Sequence, residues 1–281
     1  MIRTYFIFTI LIICSLAACN LEKEIDLQLP EYQSQVAVEC YLEVGEPFTL
    51  LLTKSSAYFD PFPTLDESLL ETLLEQDATV SVTVDGKTYE LENEIGFNPF
   101  TGKIYNYGSD ELVPADMEND FVLNITTQSG STISGTTRLL SVIPSDSIVV
   151  EFSETVDTLA RLLAYYTDDE TQENWYRRIW HEGTLDTVLL DFAITDQFVD
   201  NGTLVFGTGY DFTVGDTVFS TLVHISEPYY EFLTSIAGAV DANGNPFGQP
   251  SSILSNVTGS DNPIGIFTGL ATTRESIIVT D

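Results

Sequence analysis

Few residues of this 281-residue chain carry reactive side chains: three cysteines, two histidines and ten Lys plus Arg stand against 43 Asp plus Glu. Cys40 lies in Val36-Ala37-Val38-Glu39-Cys40-Tyr41-Leu42. Alternation places Val36, Val38, Cys40 and Leu42 on one face of a strand, where cysteine acts as a small core hydrophobe. A nucleophilic thiol would need a paired base and an electropositive setting, and neither flanks it. His181 and His224 each fall inside a predicted strand, and neither belongs to a spaced metal-ligand cluster. No G-x-S-x-G elbow, phosphate-binding glycine loop or dinucleotide fingerprint occurs. Asp241-Ala242-Asn243-Gly244-Asn245 starts like a calcium loop, but Pro246 holds the sixth position, which needs glycine, and Ser252 the twelfth, which needs a bidentate Glu. It reads as a polar turn. Catalytic, cofactor-binding and metal residues are therefore all assigned as none. A glycosidase-like carboxylate pair is defined by separation in space and not in sequence, so a secreted, lipid-anchored hydrolase acting on polysaccharide stands as the alternative function.

The reactive group with the clearest setting is Cys19. Leu16-Ala17-Ala18-Cys19 resembles the lipobox of bacterial lipoproteins, in which the thiol accepts a diacylglycerol thioether and the small residues before it admit the signal peptidase. Arg3 and the apolar run from Tyr5 to Ser15 have the build of a signal peptide. The run is shorter than the roughly 20 residues that a membrane span requires. Residues 1–18 are expected to be a cleaved signal peptide, Cys19 the lipidated residue, and residues 19–34 a polar tether. With Cys14 cleaved off and Cys19 acylated, Cys40 has no disulfide partner. A formal charge of −33 argues against nucleic acid, whose binding draws on Lys and Arg, and against anionic headgroups.

These residues must be positioned by a mainly β chain: two antiparallel β-sandwich-like domains, residues 35–143 and 144–281, with one or two short helices. In the first, strands are expected at Gln35–Val44, Pro47–Lys54, Ala78–Val84, Lys87–Glu92, Lys103–Tyr107, Asp120–Thr127 and Thr132–Leu140. Asp85-Gly86 supplies the residues that a type I′ hairpin favours. Thr64 and Glu67 announce a helix through Leu69, Leu70, Leu73 and Leu74, after an aromatic, proline-rich loop over Ala57–Pro63. In the second, strands are expected at Asp146–Phe152, Arg161–Tyr166, Trp175–Trp180, Leu185–Phe192, Thr203–Phe206 and Thr217–Ile225, although Val156, Leu159, Leu162, Leu163 and Tyr166 also fit a helix over Thr155–Tyr166. Asp168–Asn174 reads as an acidic hairpin turn. A helix follows over Glu227–Ala239, with Tyr230, Leu233, Ile236 and Ala237 on one side and Pro228 in its first turn.

The chain resembles domain-of-unknown-function family 4249, a set of Bacteroidota lipoproteins, over nearly its whole length. The matching features are the lipobox, Val38-Glu39-Cys40-Tyr41 with Ser56-Ala57-Tyr58-Phe59, Val82-Thr83-Val84-Asp85-Gly86 and Asn174-Trp175-Tyr176-Arg177. The most specific are C-terminal: Tyr229-Tyr230-Glu231-Phe232-Leu233, Asn245-Pro246-Phe247-Gly248-Gln249-Pro250, Ser255-Asn256-Val257 and Gly265-Ile266-Phe267. The resemblance implies an accessory or binding lipoprotein at the outer membrane beside a TonB-dependent transporter. It implies no reaction and no cofactor. Asn20, in place of the aspartate that retains lipoproteins at the inner membrane, agrees with that setting. Asn245 to Phe267 reads as a long loop whose Phe247, Ile253, Leu254 and Phe267 would offer a contact surface; a crossover loop packed on its own sandwich fits the segment equally well. Asp146-Ser147-Ile148, Asp157-Thr158-Leu159, Asp186-Thr187-Val188 and Asp216-Thr217-Val218 fit either that phylum's O-glycosylation acceptors or simple strand starts.

Overall fold

The computed structural model describes residues 34–55, 73–98, 101–199, 201–243 and 252–280. Cys19, Phe247, the Ala57–Pro63 loop and most of the helix expected from Thr64 to Leu74 lie outside them. The chain is mainly β, as its alternation predicts. Sixteen strands are described: β1 (Val36–Leu42), β2 (Pro47–Lys54), β3 (Thr79–Val84), β4 (Lys87–Asn98), β5 (Lys103–Leu112), β6 (Phe121–Thr126), β7 (Thr132–Thr137), β8 (Ser145–Phe152), β9 (Ala160–Thr167), β10 (Trp175–Glu182), β11 (Val188–Thr195), β12 (Thr203–Gly207), β13 (Thr217–Ile225), β14 (Val257–Gly259), β15 (Ile264–Gly269) and β16 (Ala271–Ile278). One α-helix, α1 (Glu227–Asn243), is described.

The first half is a single nine-stranded sheet in the order β14-β7-β6-β3-β4-β5-β2-β1-β15. Alternating side chains of β1, β2, β3 and β6 fill its interior: Val38, Cys40, Leu50, Leu52, Val82, Phe121 and Leu123 are all fully buried. Burial pushes the Cys40 thiol far above its ordinary value, as a core hydrophobe requires. The β3–β4 turn has the two consecutive left-handed residues of a type I′ hairpin, Asp85 at φ 46° and Gly86 at φ 73°.

Two parts of this sheet differ from the sequence expectation. Val257–Gly259 and Ile264–Gly269, placed by sequence within residues 144–281, hydrogen-bond to β7 and β1 of the first sheet. The β1–β15 ladder is also parallel, with Cys40 opposite Phe267. The sheet ends meet through side chains. Asn256 accepts from the Phe267 backbone N–H at 2.8 Å and donates to the Phe267 carbonyl at 2.7 Å, while the Ser255 hydroxyl donates to the Gly265 carbonyl at 2.9 Å. The result is a nearly closed, barrel-like sheet. Ser255-Asn256 and Gly265-Ile266-Phe267, the motifs that carry the resemblance, are thus two sides of one seam.

The second half is a sandwich of a four-stranded sheet, β11-β10-β13-β16, on a three-stranded sheet, β12-β9-β8. Leu162, Tyr166, Tyr176, Trp180, Phe206 and Leu222 make its core. Asp168–Asn174 is a crossover between the sheets and not a hairpin turn, since β9 pairs with β8 and β12 while β10 pairs with β11 and β13. Its polarity serves a local purpose: Asp168 is buried and accepts from the Tyr176 hydroxyl and from Asn174 Nδ2.

The opposite face of the four-stranded sheet packs on α1 and on β1 and β15 through Tyr41, Val223, Ile225, Tyr229, Phe232 and Ile266. The helix rotates from the expected stripe: Tyr229 and Phe232 are buried, while Tyr230, Leu233 and Ile236 are partly buried and Ala237 is exposed.

Candidate functional site

Strand register determines which side chains share the outer face of the four-stranded sheet. Arg274 stands opposite Thr221, Thr221 opposite Ile179, and Ile179 opposite Asp191. The adjacent row runs Thr272, Val223, Arg177 and Ala193. His181 follows Ile179 on the same face. Across from these rows stand Tyr41 and Glu43 at the end of β1, with Phe97, Thr101, Gly102 and Lys103 from the β4–β5 hairpin. Together they enclose a cleft of about 540 Å³, the size of a small-molecule site.

Two of its three cations are paired. Lys103 forms an ion pair with Glu39, donates to the Tyr41 hydroxyl at 3.1 Å and lies 4.8 Å from the centre of the Tyr41 ring. Arg177 grips Asp191 with two parallel bonds, Nε at 2.8 Å and Nη2 at 2.6 Å, and donates from Nη1 to the Tyr229 hydroxyl at 3.0 Å. Such two-pronged pairs are the strong form of the interaction. Tyr41 and Tyr229 meet edge to face with ring centres 5.6 Å apart. Burial, then the neighbouring Tyr229 and the Glu39 carboxylate, raise the Tyr41 hydroxyl above its ordinary value. Burial also raises the Glu43 carboxyl, against a hydrogen bond from Thr272.

The two histidines, alike in sequence, occupy different environments. His224 is buried, its Nδ1 within 3.0 Å of the Ser141 carbonyl oxygen and its ring 5.4 Å from that of Tyr176. His181 lines the cleft, is 6% exposed, and has an Nδ1 without a hydrogen-bond partner among the described residues. Burial first, then the Arg274 charge, lower its pKa against the pull of Asp191, so the neutral imidazole prevails.

Of the contact residues read from the sequence, the three described ones do not form one surface. Phe267 is fully buried in the first core and is withdrawn from any exposed surface; it is a β-strand residue, not a loop residue. Ile253 and Leu254 remain exposed, with the Leu254 N–H donating to Ser235 on α1. The four Asp-Ser/Thr-aliphatic triplets all stand at or immediately before the starts of β8, β9, β11 and β13, the place that the strand-start reading assigns them. Sequence reasoning missed the cleft cations Lys103, Arg177 and Arg274. Only the scarcity of Lys and Arg could have singled them out.

A family model described as Domain of unknown function (DUF4249) matches residues 22–276. The chain belongs to this family. The match spans both sheet systems and the seam that joins Asn256 to Phe267. No curated protein matches the sequence.

Proposed function

We propose that this family member is an outer-membrane lipoprotein, anchored through Cys19, that serves as an accessory or binding component beside a TonB-dependent transporter. Two or more acyl chains at Cys19 would hold it stably on the bilayer. The tether over residues 19–34 would keep the folded body at high effective concentration near an embedded partner.

The observation that carries the reading is the edge of β11, which no other described strand covers. This strand ends the four-stranded sheet, and its Val188, Leu189, Leu190 and Phe192 are all exposed. Leu190 and Phe192 pair with Trp180 and Arg178, whose side chains turn toward the three-stranded sheet, yet they remain 39% and 40% exposed. The narrower sheet does not cover them. An exposed apolar edge strand is a hazard that proteins normally blunt, and it suits a partner that adds an extended segment to the sheet. The occupant proposed is such a segment of the transporter. No observation favours the hydrolase over this reading.

Affinity purification from gently solubilised membranes should recover a TonB-dependent receptor, and Leu190→Lys with Phe192→Lys should reduce its recovery while the melting temperature stays within a few degrees. Cys19→Ala should leave unprocessed precursor. Reproducible recovery of the protein alone, with nutrient uptake unchanged on deletion, would refute the proposal.

A further inference from the structure

The cleft contains two groups whose binding capacity the protein uses only in part. Buried polar atoms in native proteins nearly always have a partner, yet Nδ1 of the buried His181 has none among the described residues. The second group is the Arg274 guanidinium. Its Nε donates to Thr221 Oγ1 at 3.0 Å, and among the described residues no carboxylate lies within ion-pair distance of it. Lys103 and Arg177, by contrast, are matched by Glu39 and Asp191. The carboxylates Glu43 and Asp186 also line the cleft, and neither forms an ion pair among the described residues.

The remaining walls are largely apolar, with Tyr41, Ile179, Val188, Val223 and Leu270 lining the same space. A planar guanidinium with free terminal nitrogens matches a carboxylate in both charge and geometry. The long-range field of a chain of charge −33 repels small anions. An occupant must therefore draw affinity from apolar contact as well as from the cation.

We propose that this cleft binds a small organic acid, with its carboxylate on Arg274 beside His181 and its apolar body against Tyr41, Ile179 and Val223. This goes beyond the accessory reading and does not depend on it, since it concerns a pocket on the far side of β10 from the sandwich core and needs neither anchor nor receptor.

The test is calorimetric titration of the full chain, purified in mild detergent, with 3-phenylpropionate and hexanoate and with their uncharged amides. Both the acid preference and its dependence on one arginine are measured. Each acid should bind saturably, and its amide at least about tenfold more weakly, as expected for hydrogen bonds to a charged group. Arg274→Met should erase that preference and leave the amide's affinity unchanged, whereas Arg138→Met, at the exposed Asp120 pair, should change nothing. Should Arg274→Met fail to fold, Arg274→Lys keeps the charge without the two-pronged geometry and must weaken acid binding severalfold. Equal binding of acid and amide, no saturable binding of either acid at millimolar concentration, or a preference that survives loss of Arg274 would each overturn the proposal.

Discussion

Asn256→Ala tests whether the first sheet is closed by side chains. In a strand, the N–H and C=O of one residue point to the same side, and in a parallel ladder alternate residues face the neighbouring strand. The N–H and C=O of Phe267 face away from β1 and are taken by Asn256, at 2.8 and 2.7 Å. Asn256 therefore does for Phe267 what a neighbouring strand would do. Each bond is worth about 0.5–1.5 kcal/mol net. Phe267 is fully buried, so its orphaned groups cannot readily turn to water, and the loss should lie near the upper end, about 2–3 kcal/mol. For a folded body of this size that lowers the melting temperature by roughly 4–12 °C. Hydrogen exchange localises the effect: the Phe267 amide should lose protection while amides of the β10–β13 ladder keep theirs. A melting temperature within 1 °C of the wild type, with Phe267 still protected, would refute the seam.

Gly265→Ala should be more severe. The residue sits at φ +136°, and a Cβ there would lie 1.9 Å from the Val38 carbonyl oxygen, so backbone must move; insoluble or molten protein is expected, and a native-like melt would contradict the close β1–β15 approach. Glu43→Gln should flatten part of the pH dependence of stability. Burial raises the folded pKa of Glu43 above its ordinary value of 4.5, so the folded state holds the proton more tightly, and the stability it contributes below that value is lost as pH rises through the folded pKa. Denaturation midpoints measured from pH 4 to 8 should fall less steeply with rising pH in the variant, and identical slopes would rule the assignment out.

What could be read from the sequence was whatever depends on near neighbours. Thr79–Val84, Asp85-Gly86 and the return through Leu91 formed as predicted, because alternation and turn chemistry reside in adjacent residues. Pro47–Lys54 and Thr217–Ile225 matched to the residue. β15 was missed because Gly265 and Gly269 bracket Ile266 and Phe267 and mimic a loop, whereas Gly265 is there to let two backbones approach. The Asp168–Asn174 segment carries hairpin composition, and only tertiary pairing shows that it changes sheets. The cleft was invisible for a related reason. Tyr41, Lys103, Arg177, His181 and Arg274 are scattered along the chain, and the registers of β10, β13 and β16 alone bring the last three onto one face. Phe267 was misread by the same logic: an aromatic residue among glycines resembles a contact loop until its strand partner is known.

The return of β14 and β15 also constrains how the molecule can be made. Gln35 and Asn262, 227 positions apart, are hydrogen-bonded in the finished fold, so one flank of β1 lacks its neighbour until Ile264–Gly269 has emerged. Pairing of this kind is slow, because long-range closure precedes its reward. A chain delivered from its N-terminus would meanwhile present Val38, Cys40 and Leu42 beside an unfilled edge, the condition in which partly folded β proteins aggregate. Its maturation should therefore depend on holdase chaperones, and truncation before Asn256 should yield no stable first half.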